Sequence, residues 1–170
     1  FKGLKIDKES SDLYFAIGVV YERLGKWEEA IKYFKKAIKL NPQYADAYNY
    51  IGYMYAERGI NLDEAIKLVK KALEIEPQNG AYVDSLAWAY FKKGKIKDAI
   101  ILLEKAIKLL KNDPVIYDHL GDAYFKNNEF EKAKSAWEKA IKFDPKNETI
   151  KAKIEKVKKI LKRGEKSEVE

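Results

Sequence analysis

The chain has no cysteine, one methionine and one histidine among its 170 residues. Without cysteine there is no disulfide framework, no thiolate zinc site and no cysteine nucleophile. The lone His119 has no second imidazole or thiolate to complete a metal site, and no G-x-S-x-G nucleophile turn occurs. Asp118 and Asp122 flank His119, yet a surface or groove-edge role fits it better than acid–base chemistry. No Gly-rich phosphate cradle is present, so no cofactor and no catalytic residue are expected. No apolar run approaches the roughly 18 residues that cross a bilayer, and the opening residues carry no signal-peptide pattern. Arginine is scarce (Arg23, Arg58 and Arg163), and proline occurs only at positions 42, 77, 114 and 145.

What is present is helical and repetitive. Hydrophobic residues make up 46% and charged ones 36%, a globular and helix-prone balance. Tyr117, Leu120, Gly121 and Tyr124 fall at i, i+3, i+4, i+7, one face of a helix. After Asn127 and Asn128, Ala133, Trp137 and Ala140 mark a second helix. The layout recurs about every 34 residues. The first anchor is Tyr14, Tyr48, Val83 and Tyr117, followed by Ile17, Ile51, Leu86 and Leu120. A small residue comes next (Gly18, Gly52, Ala87, Gly121), then Tyr21, Tyr55, Tyr90 and Tyr124. In the second helices Ala30, Ala65, Ala99 and Ala133 precede Phe34, Val69, Leu103 and Trp137, and then Ala37, Ala72, Ala106 and Ala140. Gly25, Gly59, Gly94 and Asn128 stand where a left-handed helix terminus is needed. Acidic residues such as Glu28 and Asp63 follow, at the positive end of the next helix.

This pattern resembles the tetratricopeptide repeat family over residues 11 to about 147. Lys111 departs from it where the third unit should have proline, and Ile60 reads as an extra residue in the second unit's turn. The runs GAYVDSLAWAYFKKGK and DPVIYDHLGDAYF are similar to those of bacterial members, some of them envelope-associated, and the chain is expected to be a fragment of a larger protein. The resemblance implies an all-α helix-turn-helix solenoid coiled into a right-handed superhelix. Its units span 11–44, 45–79, 80–113 and 114–147. Residues 148–163 follow as a capping helix, with Ile150, Ile154, Val157 and Leu161 on one stripe, and 164–170 as a polar tail. Residues 1–10 read as the tail of a preceding repeat, or as an N-terminal arm, because LKIDKES overlies IKLNPQY one repeat later.

The formal net charge is +7. Most of the excess sits in 146–163, where Lys146, Lys151, Lys153, Lys156, Lys158, Lys159, Lys162 and Arg163 outnumber Glu148 and Glu155. A solvated cap explains this stretch. Attachment to nucleic acid or an anionic membrane is the less favoured reading, since no aromatic or Gly-rich interleaving accompanies the lysines.

In the family the concave face is lined mainly by first helices. The ridge beside the packing stripe carries Phe15, Val19, Asn49, Tyr53, Asp84, Trp88, Asp118 and Asp122, with Tyr50, Ser85 and His119 along its edge. One half is apolar and aromatic, the other acidic. Exposed Tyr and Trp are usual binding anchors, and carboxylates favour basic ligand residues. Some members clamp a peptide carboxylate with Lys, Arg and Asn, and of the corresponding residues here only Asn49 suits that task. The expected function is therefore non-catalytic binding of a protein or peptide with apolar anchors and basic residues, as scaffold or adaptor. The alternative is a spacer whose groove holds nothing. Self-association is also expected where an array leaves an apolar terminal face open.

Overall fold

A computed structural model describes residues 10–167 of the chain, and among them every regular element is an α-helix. In order these are α1 (Ser11–Arg23), α2 (Trp27–Leu40), α3 (Ala45–Arg58), α4 (Leu62–Ile75), α5 (Gly80–Lys92), α6 (Ile96–Leu109), α7 (Pro114–Lys126), α8 (Phe130–Phe143) and α9 (Glu148–Ser167). The expectation for the opening segment falls almost wholly outside the described residues. So does the end of the tail, although helix α9 itself continues past residue 163 to Ser167.

Local chemistry explains where the helices start and stop. Ser10 caps α1 by accepting a hydrogen bond from the Leu13 N–H at 3.0 Å. Asn79 and Asp113 cap α5 and α7 in the same way, and Pro114 opens α7 where no N–H partner is required. The late proline of the third unit therefore starts a helix instead of closing one. Each helix pair is joined through a left-handed residue, Gly25 (φ 69°), Gly59 (φ 68°), Gly94 (φ 81°) and Asn128 (φ 63°), and the longer α3–α4 turn has a second, Asn61 (φ 48°). Residues with a Cβ rarely adopt this conformation, and asparagine is the usual exception.

The chain divides into two compact units, Phe1–Pro77 and Gln78–Glu170. In the first, α1 packs on α2, α2 on α3 and α3 on α4. Its core holds Ala30, Phe34, Ala37, Ala47, Ile51 and Met54, all at most 2% exposed, ringed by Tyr14, Tyr21, Ile31 and Ile38. In the second unit α5 packs on α6, α6 on α7, α7 on α8 and α8 on α9. Val83, Leu103, Ile116, Trp137 and Val157 fill that core.

The small residue of each first helix lets the bulky residue of its own second helix approach. A Cβ on Gly18 would lie 2.6 Å from the Phe34 ring. One on Gly52 would lie 2.5 Å from Val69 Cγ2 and 2.9 Å from the Ala65 carbonyl, and one on Gly121 would run into the Trp137 indole. Close-packed interiors cannot absorb that volume without moving a backbone or a ring. Gly121→Ala is expected to cost about 1–3 kcal/mol, read as a lower urea midpoint by circular dichroism.

Helix α9 presents Ile150 (2% exposed), Ile154 (7%) and Val157 (0%) to the packing, and its packing partner is α8. Lys151, Lys156, Lys159, Lys162 and Arg163 are exposed, so most of the lysine-rich stretch is the solvent side of an amphipathic helix. No helix among the described residues is long and apolar enough to cross a membrane.

Candidate functional site

The eight ridge residues divide between the two units. In the first, Phe15 on α1 sits among rings: Phe34 at 5.4 Å between centroids, Tyr44 at 5.0 Å and Tyr50 at 5.2 Å. Phe15 and Val19 thus lean on the core cluster and are half-buried. Burial, a hydrogen bond with Asp12 and the nearby Asp12 and Asp46 carboxylates push the Tyr44 phenol up to about 12. One helix on, Asn49 and Tyr53 of α3 are also half-buried. The Asn49 Oδ1 atom is buried with no hydrogen-bond partner.

In the second unit the polar ridge residues are already engaged. Asp84 on α5 and His119 on α7 meet through Oδ1 and Nδ1 at 2.9 Å, with Oδ2 at 3.1 Å. Both are buried, at 6% exposure. Trp88, 7% exposed, stacks on His119 (centroids 4.1 Å apart, planes at 13°) and on Phe91 (4.8 Å, 4°). Further along, Lys153 of α9 reaches back to α7, its Nζ 2.7 Å from Asp118 Oδ1 and 2.9 Å from Asp122 Oδ2.

These contacts share one register. Asp84 and His119 are 35 residues apart, as are Asp118 and Lys153, and Phe15 meets Tyr50 at the same offset. A ridge residue therefore touches the residue one repeat plus one position later, on the next first helix. What changes is the chemistry of the rung: ring on ring, carboxylate on imidazole, carboxylate on ammonium.

That register moves His119 from the groove edge, where the sequence placed it, into the interior. Ser85 shifts inward with it, at 4% exposure, and its hydroxyl donates to the Ala81 carbonyl at 3.0 Å. For His119 the reason is geometric, because its ring faces the preceding first helix, α5, and not the solvent. Asp84 and Trp88 are likewise inside the packing. Asp118 and Asp122 stay partly accessible, with side chains 24% and 23% exposed. Sequence reading missed Lys153 as their partner. The offset of 35 residues between acid and base was the signal available.

Burial opposes the imidazolium of His119, but the Asp84 carboxylate, its hydrogen bond, and Asp118 and Asp122 outweigh that and hold the group above its usual range. Asp122 is itself pushed up, mainly by burial, against the opposing pull of Lys153. Lys153 keeps its charge, since the two carboxylates more than offset its own desolvation. Among the described residues no group of three or more His, Cys, Asp or Glu side chains is placed to hold a metal ion.

Comparison with known proteins finds repeat models along the chain. Models described as tetratricopeptide repeat match residues 11–44, 33–67 and 114–147, and one described as TPR repeat matches 88–128. A TPR repeat-containing protein of Methanocaldococcus jannaschii is 47% identical over 45 residues, 26% of this chain and 13% of the relative. The chain thus corresponds to a small part of that protein's length. Among solved structures, the Cut9–Hcn1 hetero-tetramer of APC/C is similar with a TM-score of 0.84 at 23% identity. That match covers 93% of this chain and 32% of the other, and it concerns the fold alone. The first TPR of Spaghetti (RPAP3), bound to the HSP90 peptide SRMEEVD, has a TM-score of 0.65 at 27% identity, covering 70% of this chain and 94% of that one.

Proposed function

Because the chain belongs to the tetratricopeptide repeat family, a class of protein-interaction scaffolds, we propose that it binds a peptide or partner segment along the first-helix ridge without catalysing a reaction. In the first unit the contact residues are Val19, Asn49 and Tyr53, with Phe15 behind them as a rigid support. The observation that carries this reading is the make-up of the α3 ridge. A half-buried tyrosine stands one turn from an amide oxygen that has no partner within the protein. Tyrosine contributes area at low entropic cost, and the amide can accept a hydrogen bond from a ligand N–H once side chains adjust.

In the second unit, Asp118 and Asp122 are the residues that receive a basic ligand group, which must compete with Lys153 for them. Asp84 and Trp88 take part by holding the ridge in shape through His119. The neighbour that binds SRMEEVD, a sequence with more acidic than basic residues, is not a guide to ligand charge here, for two ridge carboxylates would oppose an acidic segment.

Tyr53→Ala combined with Val19→Ser is expected to weaken partner capture from the native source roughly tenfold or more, with helicity retained. An identical set of captured proteins would remove the groove reading. It would favour a spacer role, which the mutual burial of Asp84, Trp88 and His119 already suits.

A further inference from the structure

We propose that Lys153 is an internal competitor at the ridge, a contact that keeps lysine-bearing segments off Asp118 and Asp122 and yields to a ligand guanidinium. This role presupposes that the two carboxylates receive a basic ligand group, as proposed for the ridge. Two rungs of the second unit differ in access. Lys153 stands one repeat after His119, and each aims a basic group at carboxylates two helices earlier. The His119 rung is sealed, since Asp84 and His119 are each 6% exposed and Trp88 stacks on the imidazole with centroids 4.1 Å apart. The Lys153 rung is open, with the side chains of Lys153, Asp118 and Asp122 26%, 24% and 23% exposed. The same register thus holds one cation fixed and a second within reach of a ligand.

Charge and packing both favour exchange of that second cation. Lys153 Nζ lies 2.7 Å from Asp118 Oδ1 and 2.7 Å from Asp122 Oδ1, with the Trp137 ring centroid 5.8 Å away. Burial pushes the Asp122 carboxyl up, Lys153 pulls it down, and Asp118 adds to the rise. Two neighbouring carboxylates in a partly dry site repel each other, so a replacement cation must arrive as the lysine leaves. The lysine can leave without unseating its helix, because Ile150, Ile154 and Val157 are buried and α9 packs on α8. A ligand lysine brings the same point charge and meets a tethered rival at high effective concentration. A guanidinium brings five N–H donors in a planar fork and sheds its water more readily, against the three donors of an ammonium. The ligand class is therefore a segment that presents arginine.

Lys153→Met keeps the length of the stem and removes the charge. The test follows amide shifts of the labelled chain during titration with Gly-Arg-Gly amide and, separately, Gly-Lys-Gly amide. The chain's net charge of +7 opposes diffuse capture of a cationic peptide, so shifts at Asp118 and Asp122 report the site itself. The arginine peptide is expected to bind Lys153→Met about tenfold more tightly than the unaltered chain. Equal affinities for the two proteins, with shifts at both carboxylates, would overturn the competition and leave the ridge as a site for basic groups. No shift at either carboxylate in either protein would overturn both. A lysine peptide that binds the unaltered chain as tightly as the arginine peptide would overturn the guanidinium preference. If circular dichroism shows that Lys153→Met has lost helix, Lys153→Arg takes its place. Its fork should hold the carboxylates harder and weaken the arginine peptide about tenfold, and an unchanged affinity would overturn the proposal.

Discussion

Phe34→Ala is expected to lower the unfolding free energy by about 3–5 kcal/mol, the range for emptying a buried aromatic site. The ring has no exposure, lies under the α carbon of Gly18 and contacts the rings of Phe15 and Tyr50. Its loss leaves a cavity that helices α1, α2 and α3 all border. The glycine makes the argument sharper, because Gly18 is small only on account of Phe34. Gly18→Ala alone should cost about 1–3 kcal/mol by overpacking, and much less in the Phe34→Ala background, where the clash is gone. Denaturant titrations of the two single variants and the double variant should give a coupling of about 0.5–3 kcal/mol. Additive costs would mean that the ring does not fill the space over Gly18.

Asp84→Ala should destabilise the second unit by about 3–5 kcal/mol at pH 6, where it strands a buried imidazolium. The cost should shrink as pH rises through the raised folded value of His119 and the imidazole loses its charge. His119 is held above its unfolded value, so its contribution to stability is fully present below the unfolded pKa of about 6.5. That contribution is lost as pH rises through the higher folded value. Wild-type stability from this group therefore falls between neutral and alkaline pH. The groups that face it are Asp84 on α5, Asp118 and Asp122 on its own helix and Lys153 on α9. Chemical denaturation at several pH values checks this, and His119→Gln should flatten the profile. A wild type that grows more stable from pH 6 to 9 at this site would show that the pair is not ionised.

Most of the fold could be read from the sequence, because a repeat states its packing rule several times. Gly18 opposite Phe34 and Gly121 opposite Trp137 are the same contact in two pairs, and the left-handed residues at each turn confirm the phase. The site was less legible. Periodicity separates a buried stripe from an exposed one on a single helix, but a first helix is flanked by neighbours on more than one side. A ridge residue can therefore be covered from the next repeat. That is why Trp88 and His119, both polar-edged aromatics suited to a groove, lie against each other. Lys153 was read as part of a basic surface, for the same reason: nothing in its own helix announces a bond with α7.

The decisive measurement is an amide chemical-shift titration of the isotopically labelled chain with a captured partner segment. Shifts concentrated at Val19, Asn49 and Tyr53, with lesser ones at Asp118 and Asp122, are the outcome expected of a groove-binding scaffold. Shifts confined to outward positions of the second helices, such as Ile101, or to Lys156 and Lys159 of α9, would contradict it.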